Sequence, residues 1–165
     1  MPNWCDNTLN ISHANKIKVD ELEAELSKKN DEDKSVTCLF EHFRPNPSGE
    51  WDYGWCIENW GTKWDASIVS WERTADDTIF ISFETAWGPP IALYEYLEQE
   101  GWQVEGLYNE PGMAFAGFYE EGADNYYEYG ELSADEIEEN LPTILEETFG
   151  IAQYKRDWEE EEEDE

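Results

Sequence analysis

Between Arg73 and Lys155 the chain has no lysine or arginine, yet the same stretch carries nineteen aspartates and glutamates. It is also dense in Trp, Tyr, Phe, Ile and Leu, which disordered acidic segments lack. This combination restricts the chain to folds that bury aromatic side chains while leaving carboxylates of one sign in water. The 165 residues have a formal net charge of −31, far beyond the magnitude of about 2–8 that keeps a small domain in solution. Self-repulsion on that scale works against a compact state, so solubility alone does not account for it. The opposing contribution comes from aromatics, 15% of the residues including nine Trp and nine Tyr, because each large ring buries roughly 150–250 Å².

The length fits one domain. Residues 1–73 hold eight Lys or Arg against fourteen acids, an ordinary balance, so the charge asymmetry predicts one acidic face or end. Direct binding to nucleic acid needs clustered Lys and Arg and is disfavoured. Anionic membrane surfaces are disfavoured for the same reason. The acidic balance favours a basic partner, a cation or high-salt solvation, and of these a basic protein surface is the most economical reading. No apolar window of about 18 residues exists, and Met1 to Asp6 lacks the basic and apolar regions of a signal peptide. Three widely spaced cysteines, Cys5, Cys38 and Cys56, read as reduced thiols. Together these features place the protein in a cytoplasm.

Local patterns predict the elements. Trp4 to Ser12 alternates as a strand with Leu9 and Ile11 on one face. Ala14 to Lys29 is an amphipathic helix with Val19, Leu22 and Leu26 inward, its Lys28-Lys29 end suiting the C-terminal dipole. Residues 36–65 are irregular and Trp-rich, punctuated by Pro45, Pro47, Gly49, Gly54 and Gly61. Ala66 to Arg73 and Thr78 to Thr85 form a hairpin. Pro89-Pro90 opens a helix from Ile91 to about Glu100, and Gly101 closes it. Trp102 to Asn109 and Met113 to Tyr119 form a second hairpin, and Asn125 to Glu131 adds a strand. Ser133-Ala134-Asp135-Glu136 is a capping box that starts a helix running to about Thr148. The glutamate run after Trp158 is expected to be disordered, or at best an interaction tail.

This order of elements gives an α+β domain of ferredoxin-like type, an antiparallel sheet with helices on one face. Its boundaries are 1–122 for the ferredoxin-like body with the Trp-rich insertion at 36–65, 123–150 for an acidic strand-helix extension, and 151–165 for an acidic tail. Specific residues agree. Met1-Pro2-Asn3-Trp4-Cys5-Asp6-Asn7, Asn59-Trp60-Gly61-Thr62-Lys63-Trp64-Asp65 and Thr85-Ala86-Trp87-Gly88-Pro89-Pro90 resemble the signatures of the YubB-type ferredoxin-like proteins of phages and plasmids. The resemblance runs from Met1 to about Gly122. It implies the ferredoxin-like fold and a mobile-element origin, hence a host cytoplasm, and it implies no activity.

The sharpest functional expectation is acidic mimicry of nucleic acid. Helical residues three or four apart lie roughly 5–6 Å from one another. Asp135, Glu136, Glu138 and Glu139 therefore present a carboxylate row, preceded by Glu120, Glu121, Asp124, Glu128 and Glu131. Tyr126, Tyr127 and Tyr129 add the aromatic contacts that interfaces favour. The expected partner is a basic host protein that normally binds nucleic acid: a restriction or CRISPR effector, a nuclease, a polymerase or a nucleoid protein. The alternative is a small-ligand binder or enzyme using the Trp-rich loop, where Lys63 lies between Trp60 and Trp64. The bland reading makes that loop, Trp4 and the Trp87-Gly88-Pro89-Pro90 connector structural anchors, and the acidic surface merely solvated. Cys5, Cys38, Cys56, His13 and His42 lack metal-ligand spacing. No calcium loop, nucleophile elbow or glycine-rich phosphate loop occurs, so no cofactor and no enzymatic activity are expected.

Overall fold

The structure, a computed structural model, describes residues 2–164. Its elements are β1 (Trp4–His13), α1 (Lys16–Leu26), α2 (Leu39–Phe43), α3 (Tyr53–Asn59), β2 (Ser67–Ala75), β3 (Thr78–Ala86), α4 (Ile91–Gln99), β4 (Trp102–Glu110), β5 (Phe115–Glu120), β6 (Ala123–Glu128), α5 (Ala134–Asn140), α6 (Thr143–Phe149) and α7 (Ile151–Glu163). This is an α+β architecture around one open six-stranded sheet in the order β2-β3-β1-β4-β5-β6, with every neighbouring pair antiparallel.

Alternation decides the first core. Leu9 and Ile11 of β1 and Ile79, Ile81 and Phe83 of β3 point to one face. There they meet Val19, Leu22 and Leu26 of α1 and Leu93, Tyr94 and Leu97 of α4. Asn15 caps α1, its side chain accepting from Ile17 N at 3.1 Å. The helix stops at Leu26, three residues short of the expected end. Lys28 and Lys29 lie beyond it and pair with Glu25 at 2.6 Å and Asp33 at 3.4 Å. Asn7 is buried on the same side of β1, its amide donating to Cys5 O at 3.0 Å and Thr85 Oγ1 at 2.9 Å.

The region expected to be irregular is partly helical. Asp65 organises it, its carboxylate accepting from Phe40 N at 2.8 Å and Glu41 N at 3.0 Å at the start of α2. Burial pushes the Asp65 carboxyl above the usual carboxylate value, against those hydrogen bonds. Trp60 is buried against Phe40 and Trp55 and donates its indole N–H to Arg44 O at 2.9 Å.

The C-terminal third departs most from expectation. The capping box forms, Ser133 Oγ accepting from Glu136 N at 3.3 Å and Glu136 Oε1 from Ser133 N at 3.2 Å. The single helix expected from Ser133 to Thr148 is two, because Pro142 removes a donor and excludes Leu141 from helical conformation (ψ 147°). The glutamate run is not disordered through Glu163: it continues α7. The Glu146 carboxylate accepts from Ala152 N and Gln153 N in the first turn of that helix, at 2.6 and 3.1 Å, where an anion suits the dipole. Glu159 accepts from Ala134 N at 3.2 Å, tying α7 to α5. A second core of Ile137, Leu141, Leu145, Ile151 and Ala152 packs on Ala116, Leu107 and Tyr127. These strand positions alternate with those under α4, so α5–α7 cover the opposite face of the sheet. The helices thus occupy both faces, not one.

Candidate partner-binding surface

The sheet register specifies what its second face carries. One row across the strands reads Glu72, Phe80, Asn10, Glu105 and Glu120; the next reads Ser70, Ser82, Thr8, Leu107 and Phe118; the third reads Ser67, Glu84, Asp6 and Asn109. None of these residues is Lys or Arg. Two carboxylate pairs stand directly opposite each other on neighbouring strands, Asp6 with Glu84 and Glu105 with Glu120. Directly opposed side chains have Cβ atoms about 4.5–5.5 Å apart, and like charges there are destabilising. Burial also holds the Asp6 carboxyl above its usual value.

The helices α5–α7 cover this face over β4–β6 only. Where they stop, Phe80, Leu107 and Phe118 from the strands and Pro142 and Ile144 from α6 and its preceding turn line a groove of about 360 Å³. Phe80 is 37% exposed and Ile144 46%.

Eight of the ten Lys and Arg residues are engaged elsewhere. Lys28, Lys29, Lys34, Arg73 and Arg156 form ion pairs. Arg44, Lys63 and Lys155 lie over the rings of Tyr96, Trp64 and Trp158 at 4.4, 4.5 and 4.8 Å. Arg73 leaves β2 on the α1 side, where it reaches Asp20 and Glu23.

The residues singled out from the sequence do not share one surface. Asp124, Tyr126 and Glu128 alternate with Tyr127 along β6. Tyr127 therefore packs into the second core while Tyr126 stays exposed against Phe115, its ring 5.3 Å away. The Asp124 carboxylate accepts from Tyr108 Oη at 2.6 Å, and Glu128 accepts from Tyr126 Oη at 3.1 Å. Tyr129 Oη donates to Asn109 Oδ1 at 2.6 Å. Glu120 and Glu121 flank the exposed β5–β6 turn, Glu121 with φ 50°, and Glu131 is exposed ahead of α5. On α5, Arg156 folds back from α7 onto two members of the expected carboxylate row, Asp135 at 3.1 Å and Glu138 at 2.9 Å. The row is therefore partly neutralised, which the gap in cations up to Lys155 does not convey. Glu139 stays exposed. The acids of the sheet face, Asp6, Glu72, Glu84 and Glu105, are dispersed in sequence, and the alternation of β1 and β3 is the signal that groups them.

The three signature segments do converge. Trp4 stands opposite Ala86, Trp87 N donates to Asn3 O at 2.8 Å, and Trp4 and Trp64 have ring centroids 6.3 Å apart. Trp51 donates its indole N–H to Lys63 O at 3.0 Å. Trp60, Asp65 and Thr85 are structural here, whereas Trp4, Trp51, Trp64 and Trp87 are exposed. Trp87 has φ 73°, an outlier for a bulky residue. Among the described residues no three His, Cys, Asp or Glu side chains are placed to hold a metal ion, and no helix is long and apolar enough to cross a membrane.

No family model and no curated protein matches the chain. Among solved structures it is similar to the crystal structure of protein api92 from Yersinia pseudotuberculosis, of the DUF1281 family model. The identity is 22% and the TM-score 0.36, over 47% of this chain and 30% of that one, so the chain spans less than a third of that protein.

Proposed function

We propose that this chain is a non-enzymatic acidic protein of a phage or related mobile element that occupies the basic, nucleic-acid-contacting surface of a host protein. The observation that carries this reading is the pairing of Asp6 with Glu84 and of Glu105 with Glu120 on an open sheet face with no Lys or Arg in its rows. Carboxylates paired in this way, with no cation in their rows, favour a cationic partner. Glu120 joins this face to the exposed turn with Glu121. The family resemblance and a ferredoxin-like body belong to the same reading. Its support is the order β2-β3-β1-β4, with α1 and α4 as the crossovers between split strand pairs.

The test is capture of nucleic-acid-binding proteins from host lysate on the immobilised chain. Release by rising salt and by competing duplex DNA is expected. Combined Asp6→Asn, Glu84→Gln, Glu105→Gln and Glu120→Gln should abolish capture; retention by that variant, or indifference to DNA, overturns the reading.

A second reading rests on Trp87, a half-exposed indole held in a left-handed backbone conformation next to the Trp4 end of β1. Strained, exposed aromatics cluster at functional sites, so this end of the sheet is the place for a small-ligand site. Lys63→Ala then abolishes function while the acid-to-amide changes do not.

A further inference from the structure

The groove beside the acidic rows is apolar, and it lies between carboxylates on both sides. Phe80 stands in the row that runs from Glu72 to Glu105 and Glu120. Leu107 and Phe118 occupy the next row, and Ile144 leans over from α6. A purely electrostatic decoy has no use for two large apolar side chains left in water at the centre of its charge. The volume of about 360 Å³ admits a side chain or two, not a folded surface.

We propose that this groove is the docking site for a basic segment of the partner, one that inserts a single apolar side chain between Phe80 and Ile144 while flanking Lys or Arg residues meet Glu72, Glu105 and Glu120. The proposal rests on the acidic-partner reading and sharpens it. Charge complementarity selects the occupant, because no cation in the rows offsets the surrounding carboxylates. The apolar floor sets the register of the segment, while the carboxylates supply salt-dependent attraction. A strand-like or helical segment satisfies both requirements, since each spaces one anchor between flanking charges.

Two fluorescein-labelled Arg-rich peptides test this, identical except for a central Leu or Ser. The Leu peptide should bind the wild-type chain about tenfold more tightly, the affinity equivalent of burying much of one leucine side chain. The double variant Phe80→Ser, Ile144→Ser, altered only at exposed positions, should erase that difference while keeping salt-sensitive binding of both peptides. The variant Glu105→Gln, Glu120→Gln should weaken both peptides together. Equal binding of the two peptides by wild type, or a Leu preference that survives the double variant, overturns the groove and leaves the acidic-partner reading standing. Failure of both peptides to bind at low salt overturns both.

Discussion

Phe83 and Glu84 are neighbours on β3, yet they belong to two differently built halves of the molecule. Phe83 points beneath α1 and α4, where its ring meets Phe40 at 5.9 Å and no water reaches it. Glu84 points to the other face, directly opposite Asp6, with no cation in its row. On the first face Arg73 reaches Asp20 and Glu23. On the second, among the described residues, Arg156 holds Asp135 and Glu138 at the far end. Burial supplies the stability on one side. On the other, carboxylates stand opposite one another with no cation in their rows.

The sharpest way to break this comparison is to mutate the two neighbours in turn. Phe83→Ala should lose about 3–5 kcal/mol through lost burial and an unfilled cavity, read from urea unfolding. Glu84→Gln should stay within about 0.5 kcal/mol of wild type or gain stability. Comparable losses from both would show that the acidic face is structural.

A smaller effect concerns pH. The Asp6 carboxyl is raised in the folded state by burial, so the folded protein binds its proton more tightly than the unfolded chain does. That contribution is fully present below the unfolded value of about 4 and is lost as pH rises through the folded value. Asp6→Asn should therefore match wild type in acid and become the more stable protein above that range, by no more than about 1 kcal/mol given solvent screening and one opposed charge. Urea midpoints across pH measure it, and a pH-independent difference would show that burial does not shift the Asp6 carboxyl.

The smallest effect on the fold is expected from Arg156→Gln. It frees Asp135 and Glu138 with little change in urea midpoint, since the ion pairs are largely exposed. If α5 belongs to the partner surface, this variant should bind the Arg-rich peptides more tightly at low salt and lose that gain at high salt. Unchanged peptide binding would confine the site to the sheet face.

Much of the fold was legible wherever one local pattern carried it. Ile79, Ile81 and Phe83 alternate, Val19, Leu22 and Leu26 keep a helical stripe, and Ser133 with Glu136 announces a helix start. The break at Pro142 was legible too, but the apolar spacing of Ile137, Leu141, Ile144 and Leu145 reads straight through it. The helix to Glu163 was hidden by its glutamates, which repel and oppose the dipole at a C-terminal end. Ile151 and Ala152 anchor its first turn in the second core, and that contact is not local. For the site, exposed acids were identifiable by type but not by grouping. Asp124 is engaged by Tyr108 and Asp135 by Arg156, partners 16 and 21 residues away in sequence.

By itself, the sequence determined the sign and excess of charge, the aromatic content able to oppose it, and which residues of each strand share a face. Those follow from composition and from the period of two along a strand. Only the tertiary structure decided which face is covered, that α5–α7 cross to the side opposite α1 and α4, and that Asp6 meets Glu84 and Glu105 meets Glu120. The physical reason is that strand order and helix docking join residues far apart in the chain. Dispersed acids become a surface only when distant strands are set about 4.8 Å apart.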